Sequence, residues 1–268
     1  VGGRERGRCV VSVAIVTGAA QGIGRGIAER FTADGYDVVV TDRRKSILDV
    51  AAEIGATGHV GDVADADHVR RVVDATLAAH GSIDVLVNNA GEVAPTGPRD
   101  PWEQAADDFD RFFGSNTKGA FLFGRAVAPA MIDAGGGNIV NISTDHVKPC
   151  PDCDRHHGHG VMDLYNASKW AINGLTLDWA ISLKRHGIRV NAIHMGATDT
   201  EMLRTWMGDN ASDDIVRTWM QPGQTAAILL ELLGEGPTGR TGQNIGLWVG
   251  RPPSIDDATH AGARLPAP

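Results

Sequence analysis

Tyr165 and Lys169 stand four residues apart in Tyr165-Asn166-Ala167-Ser168-Lys169. On a helix this spacing puts the phenol and the ammonium on one face, about one turn apart. A free tyrosine has a pKa of about 10 and is a poor base at neutral pH. A cation within a few ångströms favours the phenolate. A positioned pair can therefore move a proton to or from a hydroxyl. Trp170 to Leu175 continues with an apolar stripe, which predicts that a helix carries the pair. Taken alone the spacing is common, and a half-buried tyrosine beside a solvated lysine is the plain alternative.

A second group of residues has the chemistry of a phosphate site. Gly18-Ala19-Ala20-Gln21-Gly22-Ile23-Gly24 follows the β-branched run Ser12 to Thr17 and leads into a helical stretch, Arg25 to Asp34. Small residues let the backbone approach a dinucleotide's pyrophosphate, and the helix N-terminus supplies N–H groups and partial positive charge. The spacing is G-x-x-x-G-x-G. Asp42 closes the next apolar run, roughly twenty residues on, where a carboxylate accepts hydrogen bonds from the adenosine ribose and repels a 2′-phosphate. That favours NAD over NADP. Arg43 and Arg44 follow directly, and either could pair with a phosphate if Asp42 turned away. Without the glycine loop, Asp42 would read as a turn aspartate. Asp62 and Val63 end a third strand, where an adenine edge could be read. Asn89, Ala90 and Gly91 end a fourth, close to the same crevice.

These groups need a frame that brings strand ends together. The pattern predicts strands at Ser12–Thr17, Tyr36–Thr41, Thr57–Val60, Ile83–Val87, Asn138–Ile142, Ile188–Ile193 and Asn244–Val249. Helices are predicted near 46–54, over 66–80, 109–132 and 225–233, and around Tyr165. Alternating strands and helices require crossovers and a parallel sheet covered on both faces. The expected fold is a doubly wound α/β domain of the Rossmann type with about seven strands. No linker divides the 268 residues, so one domain over 1–268 is expected. Residues 1–11 are a Gly- and Arg-rich lead-in without the apolar core of a secretory signal. The formal net charge of −8 argues against a nucleic-acid or anionic-membrane partner. No apolar run is long enough to span a bilayer. Three cysteines imply no disulfide framework, which makes the cytoplasm the expected compartment.

Four motifs then fall in order: T-G-A-A-Q-G-I-G, N-N-A-G, Asn116 in S-N-T-K-G-A-F, and Y-N-A-S-K. Together they resemble the short-chain dehydrogenase/reductase family in its ordinary one-domain form, from about Ser12 to Gly250. The resemblance implies a catalytic set of Asn116, a serine-type hydroxyl, Tyr165 and Lys169. Tyr165 would be the general acid/base. Lys169 would lower its pKa and bind the nicotinamide ribose. Asn116 would hold a relay water linking Lys169 to solvent; the bland alternative is a helix-kink residue. The family's substrate-orienting serine falls on Thr144, whose hydroxyl can still bond an alcohol or carbonyl oxygen. Ser143 should point to the other face of its strand. Pro-Gly is usual after the sixth strand; here Met195-Gly196 stands instead, and Gly196 keeps the turn. Thr198, through its backbone, and Thr200 match positions that contact the nicotinamide carboxamide. The family is usually tetrameric or dimeric, with the helices near 109–132 and 166–184 at one interface.

Two segments flank the expected substrate mouth. Residues 145–164 are longer than the family norm and carry Cys150, Cys153, His156, His157 and His159. Those ligand types and spacings could hold zinc. An incidental thiol pair or redox sensitivity is also compatible, no second Cys-x-x-Cys exists, and the family's hydride chemistry needs no metal, so a metal-free substrate loop is preferred. Asp145 and His146 lie next to Thr144 and are placed to touch substrate. Residues 198–222 form an expected lid, with Met202, Leu203, Trp206, Met207, Trp219 and Met220 either lining an apolar pocket or packing as a cover. The tail 251–268 has no clear structure. The reading is an NAD-dependent oxidoreductase that interconverts a secondary alcohol and a ketone. Its rivals are an NADPH-dependent carbonyl reductase on the same fold and a catalytically silent nucleotide-binding protein.

Overall fold

The structure is a computed structural model that describes residues 11–148, 160–255 and the backbone of 258–260. Its centre is one sheet in the order β3-β2-β1-β4-β5-β6-β7-β8. The strands are β1 Val13–Thr17, β2 Asp37–Asp42, β3 Thr57–Val60, β4 Val85–Asn88, β5 Gly137–Thr144, β6 Ile188–Met195 and β7 Gln243–Leu247. These seven pair in parallel. β8 Ala258–His260 then pairs antiparallel with β7, Ile245 opposite Ala258. It lies in the tail expected to lack regular structure; the open edge of β7 provides the pairing partner.

Alternation along each strand builds two cores. Ala14, Val16, Val38, Val40, Val85, Val87, Val140 and Ile142 face one side. There they meet Ile27 and Phe31 of α1 Gly22–Ala33 and Leu229 and Leu232 of α9 Pro222–Gly234. Ile15, Val39, Leu86 and Ile139 face the other side. They meet α3 Ala66–His80 through Val69 and Val72, α5 Gly119–Ala134 through Phe123 and Val127, and α6 Asp163–Leu183 through Ala180. Each such buried Val, Leu, Ile or Phe side chain contributes about 1.5–3 kcal/mol. Among the described residues no helix is long and apolar enough to cross a membrane.

The helix predicted over 109–132 is two helices. α4 Ala105–Phe113 and α5 are joined by a π-helical turn, Gly114–Lys118. The extra residue per turn swings Asn116 inward, where its side chain is buried. A buried polar chain fixes α6 to the sheet. Asn88 Nδ2 donates to Asn141 Oδ1 and Asn141 Nδ2 to Thr176 Oγ1, each at 2.9 Å. The strand order reverses between β1 and β4, and there the carboxyl ends of the strands open a crevice.

Candidate active site

The glycine turn folds as it does because two of its residues adopt a left-handed backbone, Gly18 at φ +66° and Gly22 at φ +56°. A Cβ on Gly18 would lie 2.7 Å from the Ala90 Cα. A Cβ on Gly24 would collide with the Gly18 carbonyl and the Asn89 side chain. Asn89 in turn donates from Nδ2 to the Thr17 and Gly18 carbonyls at 2.9 and 3.0 Å, tying the fourth strand's end to the turn. α1 starts at Gly22 with no side chain capping its first turn, so its leading N–H groups are left for an anion.

One cleft of about 1250 Å³ runs from this turn along the strand ends. Gly18, Gln21, Gly22 and Ile23 line it at one end, with Asp42, Arg43, Asp62 and Val63. Asn89, Ala90 and Gly91 line it beside the turn, Thr200 packs against Gly22, and Thr144, Tyr165, Lys169, Gly196 and Thr198 complete the lining. The volume and the uncapped helix start fit a dinucleotide laid across the switch point. Two residues named from the sequence stand behind the wall. Gly24 is a packing residue of the turn, and Asn116 is buried under it.

Asp42 is held towards the turn. Its Oδ2 accepts from the Ala20 N–H at 3.1 Å and its Oδ1 from the Arg44 N–H at 2.9 Å. Arg43 pairs with Glu92 at 3.1 Å. Arg44 bonds Gln21 and reaches Glu201 at 3.4 Å.

At the far end, α6 puts Tyr165 and Lys169 on one face, the ammonium 6.0 Å from the phenol ring centre. Lys169 Nζ donates to the Ile142 carbonyl at 2.9 Å. Burial pushes this ammonium down to about 8. The phenol goes the other way. Tyr165 keeps part of its surface on the cleft, yet desolvation of the hydroxyl pushes it up to about 12. The Asp145 carboxylate adds to the rise, and a hydrogen bond from Thr144 opposes it. Thr144, and not Lys169, is the group that opposes the rise in the polypeptide itself. The Thr144 hydroxyl thus lies beside the phenol. The Ser143 hydroxyl points inward and donates to Asn173 Oδ1 at 3.3 Å.

The Asn116 carboxamide is fully engaged. Oδ1 accepts from the Glu92 N–H at 2.6 Å and from Ser115 Oγ at 3.1 Å. Nδ2 donates to the Glu92 carbonyl at 3.0 Å and to Ser168 Oγ at 2.9 Å. That uses both donors and both acceptor sites of the amide. A relay water at this residue would have to rest on its main chain.

The mouth is walled by Asp145, His146, Met202, Leu203, Trp206, Met207, Trp219 and Trp248. Met220 instead turns into the core. Met202, Leu203, Trp206 and Met207 belong to α7 Glu201–Met207. His146 stands edge-on to the Tyr165 ring at 6.0 Å, and its Nδ1 meets Asn166 Oδ1 at 3.2 Å. Cys150, Cys153, His156, His157 and His159 lie outside the described residues. Glu92, Trp248 and His194 escaped the sequence reading. Glu92 alone had a local signal, an acid directly after N-N-A-G. His194 is buried in β6, and its Nδ1 donates to the Thr144 carbonyl at 2.9 Å, because that oxygen can only accept.

Comparison with known proteins agrees with this geometry. A family model described as short chain dehydrogenase matches residues 12–211. The sorbitol dehydrogenase of Cereibacter sphaeroides is 37% identical over 194 residues, 70% of this chain and 71% of that protein. The galactitol 2-dehydrogenase of Agrobacterium fabrum is 35% identical over 200 residues, 70% of this chain and 71% of that one. Among solved structures, a 3-ketoacyl-(acyl-carrier-protein) reductase from Brucella melitensis complexed with NADH superimposes with a TM-score of 0.77 at 31% identity. That alignment covers 90% of this chain and 98% of the other. With most of its length matched, and its turn, cleft and Tyr-Lys helix in one frame, the chain belongs to the short-chain dehydrogenase/reductase family of oxidoreductases.

Proposed function

We propose that the protein interconverts a secondary alcohol and a ketone with NAD, using Tyr165 as general acid/base. The observation that carries this reading is the sharing of one cleft by the glycine turn, Asp42, Thr144, Tyr165 and Lys169. The dinucleotide, when bound, accepts or returns the hydride. The chain's own residues do the rest. The α1 start and the glycine turn hold the pyrophosphate, and the anchored Asp42 carboxylate takes the ribose hydroxyls. Thr144 orients the substrate oxygen through its hydroxyl, and Tyr165 exchanges the proton with that oxygen. Lys169, a buried amine held by the Ile142 carbonyl, keeps positive charge at the phenol and lowers the cost of its ionisation. The Asn116 clasp fixes the π turn against the start of α6.

Relatives named for sorbitol and galactitol make polyols the first alcohols to screen. The reading includes a soluble homodimer or homotetramer in the cytoplasm and no metal in turnover. Replacing Tyr165→Phe tests it. Turnover of every accepted alcohol is expected to vanish while NAD still binds, as measured by calorimetry. Substantial residual turnover would refute the role of the phenol.

A further inference from the structure

The two arginines after β2 would be the natural partners of a 2′-phosphate. Each is already engaged by an acid. Arg43 Nη1 lies 3.1 Å from Glu92 Oε2, while Arg111 Nε lies 3.2 Å from Glu92 Oε1. Glu92 is thus clamped between two guanidiniums, and its side chain is only 18% exposed against 65% for Arg43. Its main chain is fixed as well, since the Asn116 carboxamide binds both its N–H and its carbonyl. The acid cannot follow the arginine if the arginine swings away. Arg44 is held less firmly, by Gln21 and by an exposed Glu201 at 3.4 Å.

We propose that Glu92 is a specificity-determining residue of the dinucleotide site: it withholds Arg43 from a 2′-phosphate, so that rejection of NADP rests on Glu92 as well as on Asp42. This rests on the reading of the cleft as an NAD site. To bind NADP through Arg43, the protein must draw the guanidinium away from, or share it with, the carboxylate that already holds its Nη1 at 3.1 Å. Glu92 then keeps Arg111 alone as its partner, in the same cleft as a group of nearly two negative charges. Exposed ion pairs are individually weak, but here loss of the pair and like-charge repulsion act together. The combined penalty is about three- to tenfold in NADP affinity.

The test is equilibrium binding of NAD and of NADP, by calorimetry, to the full chain and to Glu92→Gln, Arg43→Ala and the double variant. Glutamine keeps the shape and the main-chain clasp and removes the charge. The ratio of NADP to NAD affinity is expected to rise about three- to tenfold in Glu92→Gln and to fall back when Arg43→Ala is added. An unchanged ratio, or a gain that persists without Arg43, overturns the role of Glu92 while leaving the NAD reading intact. A wild-type protein that binds NADP more tightly than NAD overturns both.

Discussion

Lys169 is a cation the fold holds against its own stability. Its ammonium has a folded value of about 8 against 10.5 in the open chain. Below pH 8 both states are charged, and the folded state bears the burial cost, at most roughly 3 kcal/mol. As pH rises from 8 towards 10.5 the folded state loses the proton first, and stability recovers. Lys169→Met is therefore expected to unfold at higher denaturant than wild type at pH 7, with the gap closing by about pH 10, while turnover is lost. His194 has the same sign on the acid side. Burial pushes it down to about 4 from 6.5. The unfolded chain takes up a proton that the folded chain refuses, so stability falls as pH drops from 6.5 to 4. His194→Gln, which keeps a donor for the Thr144 carbonyl, should flatten that limb in urea titrations followed by circular dichroism. At this scale the Tyr165–Lys169 pair was legible as a candidate because chemistry and spacing coincide within one element, Asp42 because it follows the glycine loop at the right distance, and Thr144 only through the family resemblance. Glu92 and His194 were not, because their partners, Arg43 and Thr144, are brought to them by the sheet from about fifty residues away.

The glycine turn shows what an element demands of its sequence. Gly24 is the point where α1 meets the Gly18 carbonyl and the Asn89 amide with no room for a methyl. Gly24→Ala is expected to lower stability by about 1–3 kcal/mol through overpacking. The same shift should weaken NAD binding, because it moves the start of α1; thermal melts with and without NAD check both effects. The strands and most helices were readable from β-branched runs and apolar periodicity. The break inside 109–132 was not. A π turn slips the apolar phase by a single residue inside an otherwise continuous helical run, and the contacts that clasp it, Asn116 to Glu92 and Ser168, are tertiary. β8 was equally hidden, since three residues carry no pattern until a strand edge receives them.

At the scale of the molecule, helices α5 and α6 leave Phe121, Trp170 and Ile181 on the surface. Phe109 of α4 is exposed beside them in sequence. If those helices form the interface of the expected homo-oligomer, Phe121→Glu with Trp170→Glu should reduce the mass measured by light scattering to that of one chain. An unchanged oligomer would place the interface elsewhere. The overall architecture was the most legible level of all. Ordered strand ends force the crevice to the switch point, whatever side chains fill it.

The segment that walls the mouth is closed at its base. Thr198 bridges Met220, Asp199 N–H donates to the Met220 carbonyl at 2.8 Å, and Met220 N–H to the Ala197 carbonyl at 2.9 Å. Between those staples the segment carries α7 and the short helix Asp213–Val216, and it also rests on the body of the protein through Thr200 against Gly22, the Arg44–Glu201 pair and the buried Val216 and Trp219. Its length and composition can drift without disturbing any strand register. On the proposed reading, the residues beyond Thr200 in this segment form an exchangeable wall around the mouth, and substrate preference can be rewritten there while β5, α6 and the glycine turn stay as they are.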